Sequence, residues 1–180
     1  MAEKEKPSQI GDHAVIRNAY DNALTAGARL DSFATARRRL SDIHIAVRQE
    51  IVARDDLILF AIHTRRLIEN TVGRQHANTV KFRAAYDRKI CDIAFWRAIN
   101  VIIHHRTISI IRPLAKGDLE EVLASSGERL QTPTCVVQSD NGKLLGFWIE
   151  QLIDAFEDVL EAVVDVCADH RLFLEPDDPC

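Results

Sequence analysis

The sequence predicts a mostly α fold, an up-and-down bundle of four to five long helices with a small β-hairpin appendage before the C-terminal helix. Three observations lead there. Apolar residues recur at intervals of three and four along several long segments. The dipeptide Asn141-Gly142 lies between two apolar runs, a strong hairpin signal because both central residues of such a turn take positive φ. The 180 residues are 47% hydrophobic and 28% charged, ordinary globular usage and enough chain for one domain to bury a core without staples. A single domain over 11–174 is expected, between a flexible tail, 1–10, and a disordered tail, 175–180.

The elements follow in order. Asp12 can cap a helix through Ile16, Tyr20 and Leu24, which Gly27 weakens near its end. A second helix starts near Leu30 and carries Phe33, Leu40, Ile43, Val47 and Ile51. Asp55 then reads as the cap of a third helix, Asp56 to Val72, with Gly73 as its stop. Polar residues from Arg74 to Asn78 make a loop or short turn. A fourth long helix is expected from about Phe82 to His105, and Pro113 ends whatever follows it. Residues 114–132 are polar, with a short helix at Leu119–Leu123. The hairpin occupies Thr134 to Gly146, and the β-rich segment Thr107–Ile111 is a candidate third strand. Phe147 to Leu172 is the last helix, with Leu152, Ile153, Phe156 and Leu160 on one face.

Composition and motifs exclude several function classes. No apolar run approaches the roughly 18 residues that span a bilayer, and the charged opening lacks the apolar stretch of a signal peptide. The expectation is a cytoplasmic chain with no membrane partner. The spacing of Cys91, Cys135, Cys167 and Cys180 fits no zinc module, so they read as free thiols. No Walker loop, G-x-G-x-x-G, H-E-x-x-H, repeated E-x-x-H or G-x-S-x-G motif is present. No metal and no cofactor are expected. Through Lys116 the chain holds 20 basic and 12 acidic residues, and beyond it 3 basic and 15 acidic. The basic part could face an anionic partner such as RNA, or be neutralised by the acidic C-terminal segment folding back on it.

The stretch Trp96 to His104 carries the chemistry. Arg97, Asn100 and His104 interrupt an apolar helix at i, i+3 and i+7. Seven residues turn through about 700°, roughly 20° short of two full turns, so Arg97 and His104 share a stripe with Cα atoms about 10 Å apart. Arg supplies a permanent charge and a donor fork for phosphate, His exchanges protons near neutral pH, and Asn can orient either one. Such parts suit RNA cleavage without metal. They equally suit a polar stripe bonded to neighbouring helices. His104-His105 point about 100° apart and chelate one metal poorly.

Arg97-x-x-Asn100-x-Ile102-Ile103-His104, late on a long helix, resembles the HEPN superfamily, whose signature is an Arg, four to six residues, and a His. The helix with Arg65-Arg66-Leu67-Ile68-Glu69 is similar to the one preceding that motif in bacterial HEPN-like proteins. The resemblance implies a helical bundle, a homodimer, and a metal-independent endoribonuclease leaving 2′,3′-cyclic phosphate ends. Arg97 would bind phosphate and His104 would act as general base or acid, with Asn100 beside them. It also implies a toxin–antitoxin or phage-defence setting with an antitoxin or other protein partner, or a non-catalytic interaction module. Ala98 departs from the pattern, because many catalytic members place a polar residue directly after the Arg.

Arg65, Arg66 and His105 are the candidate substrate-binding residues, and His63 could line the same cleft. An Arg66–Glu69 pair is the structural alternative. Arg37-Arg38-Arg39 reads as a solvated face or an RNA patch, and Phe95 and Trp96 as core or interface anchors. Glu50 and Glu69 could orient Arg97 or His104.

Overall fold

The computed structural model describes residues 10–35, 43–87, 89–110 and 135–172. The candidate helix at Leu119–Leu123, Pro113, both tails and the Arg37-Arg38-Arg39 run lie outside the described residues.

The chain starts with α1 (His13–Thr35). Asp12 caps it as expected: its Oδ1 accepts the backbone N–H groups of Ala14 and Val15 at 2.8 and 3.3 Å. The helix runs unbroken through Gly27. The next helix, α2 (Ile43–Asn70), also passes through an expected boundary. Asp55 is no cap; it is exposed mid-helix, with its carboxylate on Arg54 at 3.3 Å. Its neighbour Asp56 is buried and meets Arg29 of α1 at 3.4 Å, pinning the two helices together. A buried carboxylate needs such a partner. The tight turn after α2 leads into the short α3 (Gly73–Ala77), which Gly73 enters at φ 77°.

The largest correction falls on the expected fourth long helix. Its first half is a hairpin, β1 (Lys81–Tyr86) and β2 (Lys89–Ala94), and only Phe95–Ile103 is helical, as α4. Along β1, Lys81 and Arg83 are exposed while Phe82 and Ala84 are buried, a period of two. Asp87 turns the chain at φ 50°, and Tyr86 pairs with Lys89 across the turn. Phe82 packs edge-on against Phe147 at 6.2 Å, a contact that helical local preference cannot supply. Then follow β3 (His105–Ile110), β4 (Cys135–Ser139), β5 (Leu144–Phe147) and α5 (Ile149–Asp169). Residues 107–110 of the candidate strand lie in β3, the hairpin around Asn141-Gly142 is present, and the last helix is present but begins at Ile149, Phe147 belonging to β5.

The five strands form one antiparallel sheet in the order β2-β1-β5-β4-β3. The expectation of an all-α up-and-down bundle with a hairpin appendage is overturned: the fold is mixed α and β. The hairpin β4–β5 is central to the sheet, with β5 joined on its other side to β1. Helix α4 lies between layers, touching α2, α3 and α5 as well as β2, β3 and β4. Phe60, Phe95, Ile99, Ile102, Leu145 and Phe147 are fully buried and belong to one continuous core. Phe60 meets Phe156 of α5 edge-on at 5.0 Å.

Gly27 yields a test of the packing between α1, α2 and α5. A Cβ at that position would sit 3.4 Å from Phe60 and 3.7 Å from Ile153, ordinary contact distances. Gly27→Ala should therefore add helix propensity without overpacking and stabilise the fold by about 0.5–1 kcal/mol, read as a raised thermal midpoint.

Candidate functional site

The short α4 determines how the polar stripe is presented. Helical geometry ends at Ile103, and His104 is the C-cap, with φ −100° and ψ 44°. Its N–H still reaches the Asn100 carbonyl at 2.9 Å, so the ring stays in line with the helix. The next residue turns into β3. His105 Nδ1 donates to the Ile102 carbonyl at 2.8 Å, satisfying one of the acceptors a helix end leaves open.

Arg97, Asn100 and His104 do share a cleft. It is a shallow, open depression of about 280 Å³, lined by these three, Val101, and the turn residues Ser139, Asp140 and Asn141. The sheet brings that turn into position, because His105 pairs with Ser139 where β3 meets β4. The turn is firmly built. Ser139 N–H donates to the Lys143 carbonyl at 2.9 Å, Gly142 N–H to the Ser139 carbonyl at 2.8 Å, and Gly142 supplies φ 81°.

The polar contacts converge on Arg65 of α2. Its Nη1 donates to Asn100 Oδ1 at 3.1 Å and lies 3.3 Å from His104 Nε2. A guanidinium can only donate, so this contact requires the imidazole lone pair on Nε2 and the proton on Nδ1. Glu69, one turn along α2, accepts from Arg65 Nε at 2.8 Å and aims the fork. Asn100 is itself held by its amide, which donates to the Trp96 carbonyl at 2.7 Å. Below them the buried Trp96 ring carries two cations, with Arg65 at 5.7 Å and Arg74 at 6.0 Å from its centre. Arg97 is exposed and stacks on Tyr86 at 4.1 Å, while Lys143 approaches the same ring at 5.6 Å.

Of the residues singled out in the sequence, Arg65, Asn100 and His104 are thus joined by hydrogen bonds, and Arg97 lines the same cleft. Glu69 orients Arg65, not Arg97 or His104 directly. Arg66 is exposed, and the Glu69 carboxylate that it could have paired with lies on Arg65. His105 is turned onto the end of α4. Tyr86, Arg74, Lys143 and the Ser139–Asn141 wall were not foreseen. The Asn-Gly signal located the turn in the sequence, but its place opposite His104 depends on strand pairing. Among the described residues no group of three His, Cys, Asp or Glu side chains could hold a metal ion. No helix among them is long and apolar enough to cross a membrane.

Three cysteines are described. Cys135 and Cys167 are buried, and burial pushes both thiols up, away from the thiolate form. Cys91 is exposed on β2.

One histidine gives a pH test. The pKa of His63 is lowered, first by burial and then by the charge of Arg66. Its buried Nδ1 has no hydrogen-bond partner among the described residues. The folded state binds this proton less readily than the unfolded chain, whose His titrates near 6.5. The contribution is full above about pH 6.5 and is lost as pH falls through that value toward the lowered folded pKa. Thermal midpoints should therefore drop from pH 7.5 to pH 5.5, and His63→Gln should show a smaller drop.

Comparison with known proteins does not supply a function: no family model, curated protein or solved structure matches the chain.

Proposed function

We propose that the cleft binds single-stranded RNA and cleaves it by transesterification without a metal ion. The observation that carries this reading is Arg65 Nη1, within reach of both Asn100 and His104 Nε2 beside a cleft that Arg97 also lines. A phosphate entering there is a stronger acceptor than an imidazole and takes the Arg65 donors. That releases the His104 lone pair for the ribose 2′-hydroxyl. His104 accepts the hydroxyl proton as the 2′-oxygen attacks phosphorus. Arg65 and Arg97 oppose the charge that grows on the phosphorane oxygens. The 5′-oxygen leaves with a proton from water in the open cleft, and the other fragment keeps a 2′,3′-cyclic phosphate. The basic excess of the chain up to Lys116 favours the encounter with RNA.

The test is cleavage of a mixed RNA pool in EDTA. Wild type should cut and leave cyclic phosphate ends. His104→Ala should lower the rate about 10²–10⁴-fold and Arg65→Ala about 10²–10³-fold, with folding intact by circular dichroism. Undiminished cutting by folded His104→Ala would overturn the assignment of the base.

A second reading, a non-catalytic dimeric interaction module, is favoured by the outer face of α2. Ile51, Val52, Leu59 and Ile62 are exposed there, and half-buried Ile58 lies among them. The Arg54–Asp55 pair sits at the middle of this stripe. Two copies crossing antiparallel about that point would set apolar residues against apolar residues and Arg54 against the other copy's Asp55. A dimer formed this way should become monomeric in Leu59→Glu, measured by sedimentation at micromolar concentration. An unchanged sedimentation coefficient would rule this interface out.

A further inference from the structure

The wall of the cleft opposite α4 has the wrong charge for phosphate. Asp140 is exposed there, and among the described residues its carboxylate has no cation within ion-pair distance, although Arg97 and His104 line the same cleft. A carboxylate at that place repels phosphate toward Arg65 and Arg97 and accepts hydrogen bonds from whatever else enters. Beside it, Asn141 has a defined orientation. Its Oδ1 receives the Lys143 backbone N–H at 3.3 Å and the Ser139 hydroxyl at 2.5 Å. A backbone N–H can only donate, so Oδ1 is the inward atom of the amide and its Nδ2–H₂ group is the donor left over.

The turn therefore presents an acceptor pair next to a donor. Resting on the RNA reading above, we infer that Asp140 and Asn141 select guanine in the nucleotide on the 5′ side of the scissile phosphate. Guanine's Watson–Crick edge carries two adjacent donors, N1–H and the 2-amino group, beside the O6 acceptor. The two donors match the carboxylate of Asp140 as a bidentate pair, and O6 matches the amide of Asn141. Adenine places its N1 lone pair against the carboxylate. Uracil offers one N–H flanked by two carbonyl oxygens, which the carboxylate repels. Single-stranded bases are free to present this edge, whereas paired bases are not. The side of the scissile bond follows from His104. The ribose whose 2′-hydroxyl meets His104 belongs to the 5′ nucleotide, and its base shares the cleft with the Ser139–Asn141 turn. Val101 adds an apolar contact to the same cleft.

The experiment pairs binding with cleavage, both on the full chain. Calorimetry with 3′-GMP, 3′-AMP and 3′-UMP reads base preference without any reaction. Wild type should bind 3′-GMP at least roughly tenfold tighter than the other two, and Asp140→Asn should reduce that ratio to near one. Asn serves the turn as well as Asp, so the variant keeps its fold. Sequencing the ends cut from a mixed RNA pool should show guanosine 2′,3′-cyclic phosphate. A guanine preference in binding with no cleavage upholds the subsite and overturns the nuclease reading. Cleavage without base preference upholds the nuclease and overturns the subsite. Equal binding of all three nucleotides, or a preference unchanged in Asp140→Asn, overturns the subsite whatever the cleavage assay gives.

Discussion

One guanidinium joins the two helices that make the site. Arg65 on α2 spans to Asn100 and His104 on α4, and the direction of those hydrogen bonds fixes the chemistry available. Because arginine only donates, His104 is held with its lone pair facing the cation and its proton on the other nitrogen. Glu69 holds the Nε side of the same group, so the fork cannot rotate freely. Trp96 underneath supplies an aromatic face for Arg65 and Arg74. The result is an imidazole and a cation stored against each other at 3.3 Å, with Asn100 accepting from the same guanidinium.

The rest of the fold serves to open one side of this arrangement. Had α4 continued, His104 would have been one residue on a long helix flank. Instead the helix stops at Ile103, and the chain bends into β3, with His105 closing the helix end. Pairing of His105 with Ser139 then swings the acidic turn across from the polar stripe. One wall carries Arg97 and His104 and the other carries Asp140 and Asn141, so charge is unlike on the two sides of the cleft. The strands β4 and β5 that carry this wall are each paired on both sides in the sheet.

The polar stripe was legible in the sequence because it breaks a strongly apolar run at helical spacing, and that local pattern survives folding. Asp12 as a cap, Asn141-Gly142 as a turn and the last helix were legible for the same reason. The hairpin formed by β1 and β2 was not. Phe82, Ile90 and Ile93 fit a helical face as well as a strand, and only pairing with β5 and contact with Phe147 decide between them. Asp55 misled because its neighbour Asp56 carries the structural role of that dipeptide, a buried carboxylate paired with the exposed Arg29, which no local signal announces. The same limit applies to the site. Arg65 and His104 were each singled out, but their contact spans 39 residues of chain, and Tyr86 gave no hint of stacking under Arg97. The HEPN-like motif implied a bundle, whereas the residues that carry it sit in a mixed fold whose sheet forms half of the cleft.

The most direct measurement is the protonation pattern of the His104 ring, read from long-range ¹H–¹⁵N NMR correlations at mildly alkaline pH. Wild type should show the proton on Nδ1 and a bare, hydrogen-bonded Nε2, and Arg65→Ala should lose that bias. A proton on Nε2 in the wild type would contradict the account, because Arg65 could then not donate to that nitrogen, and the stored pairing of base and cation would not exist.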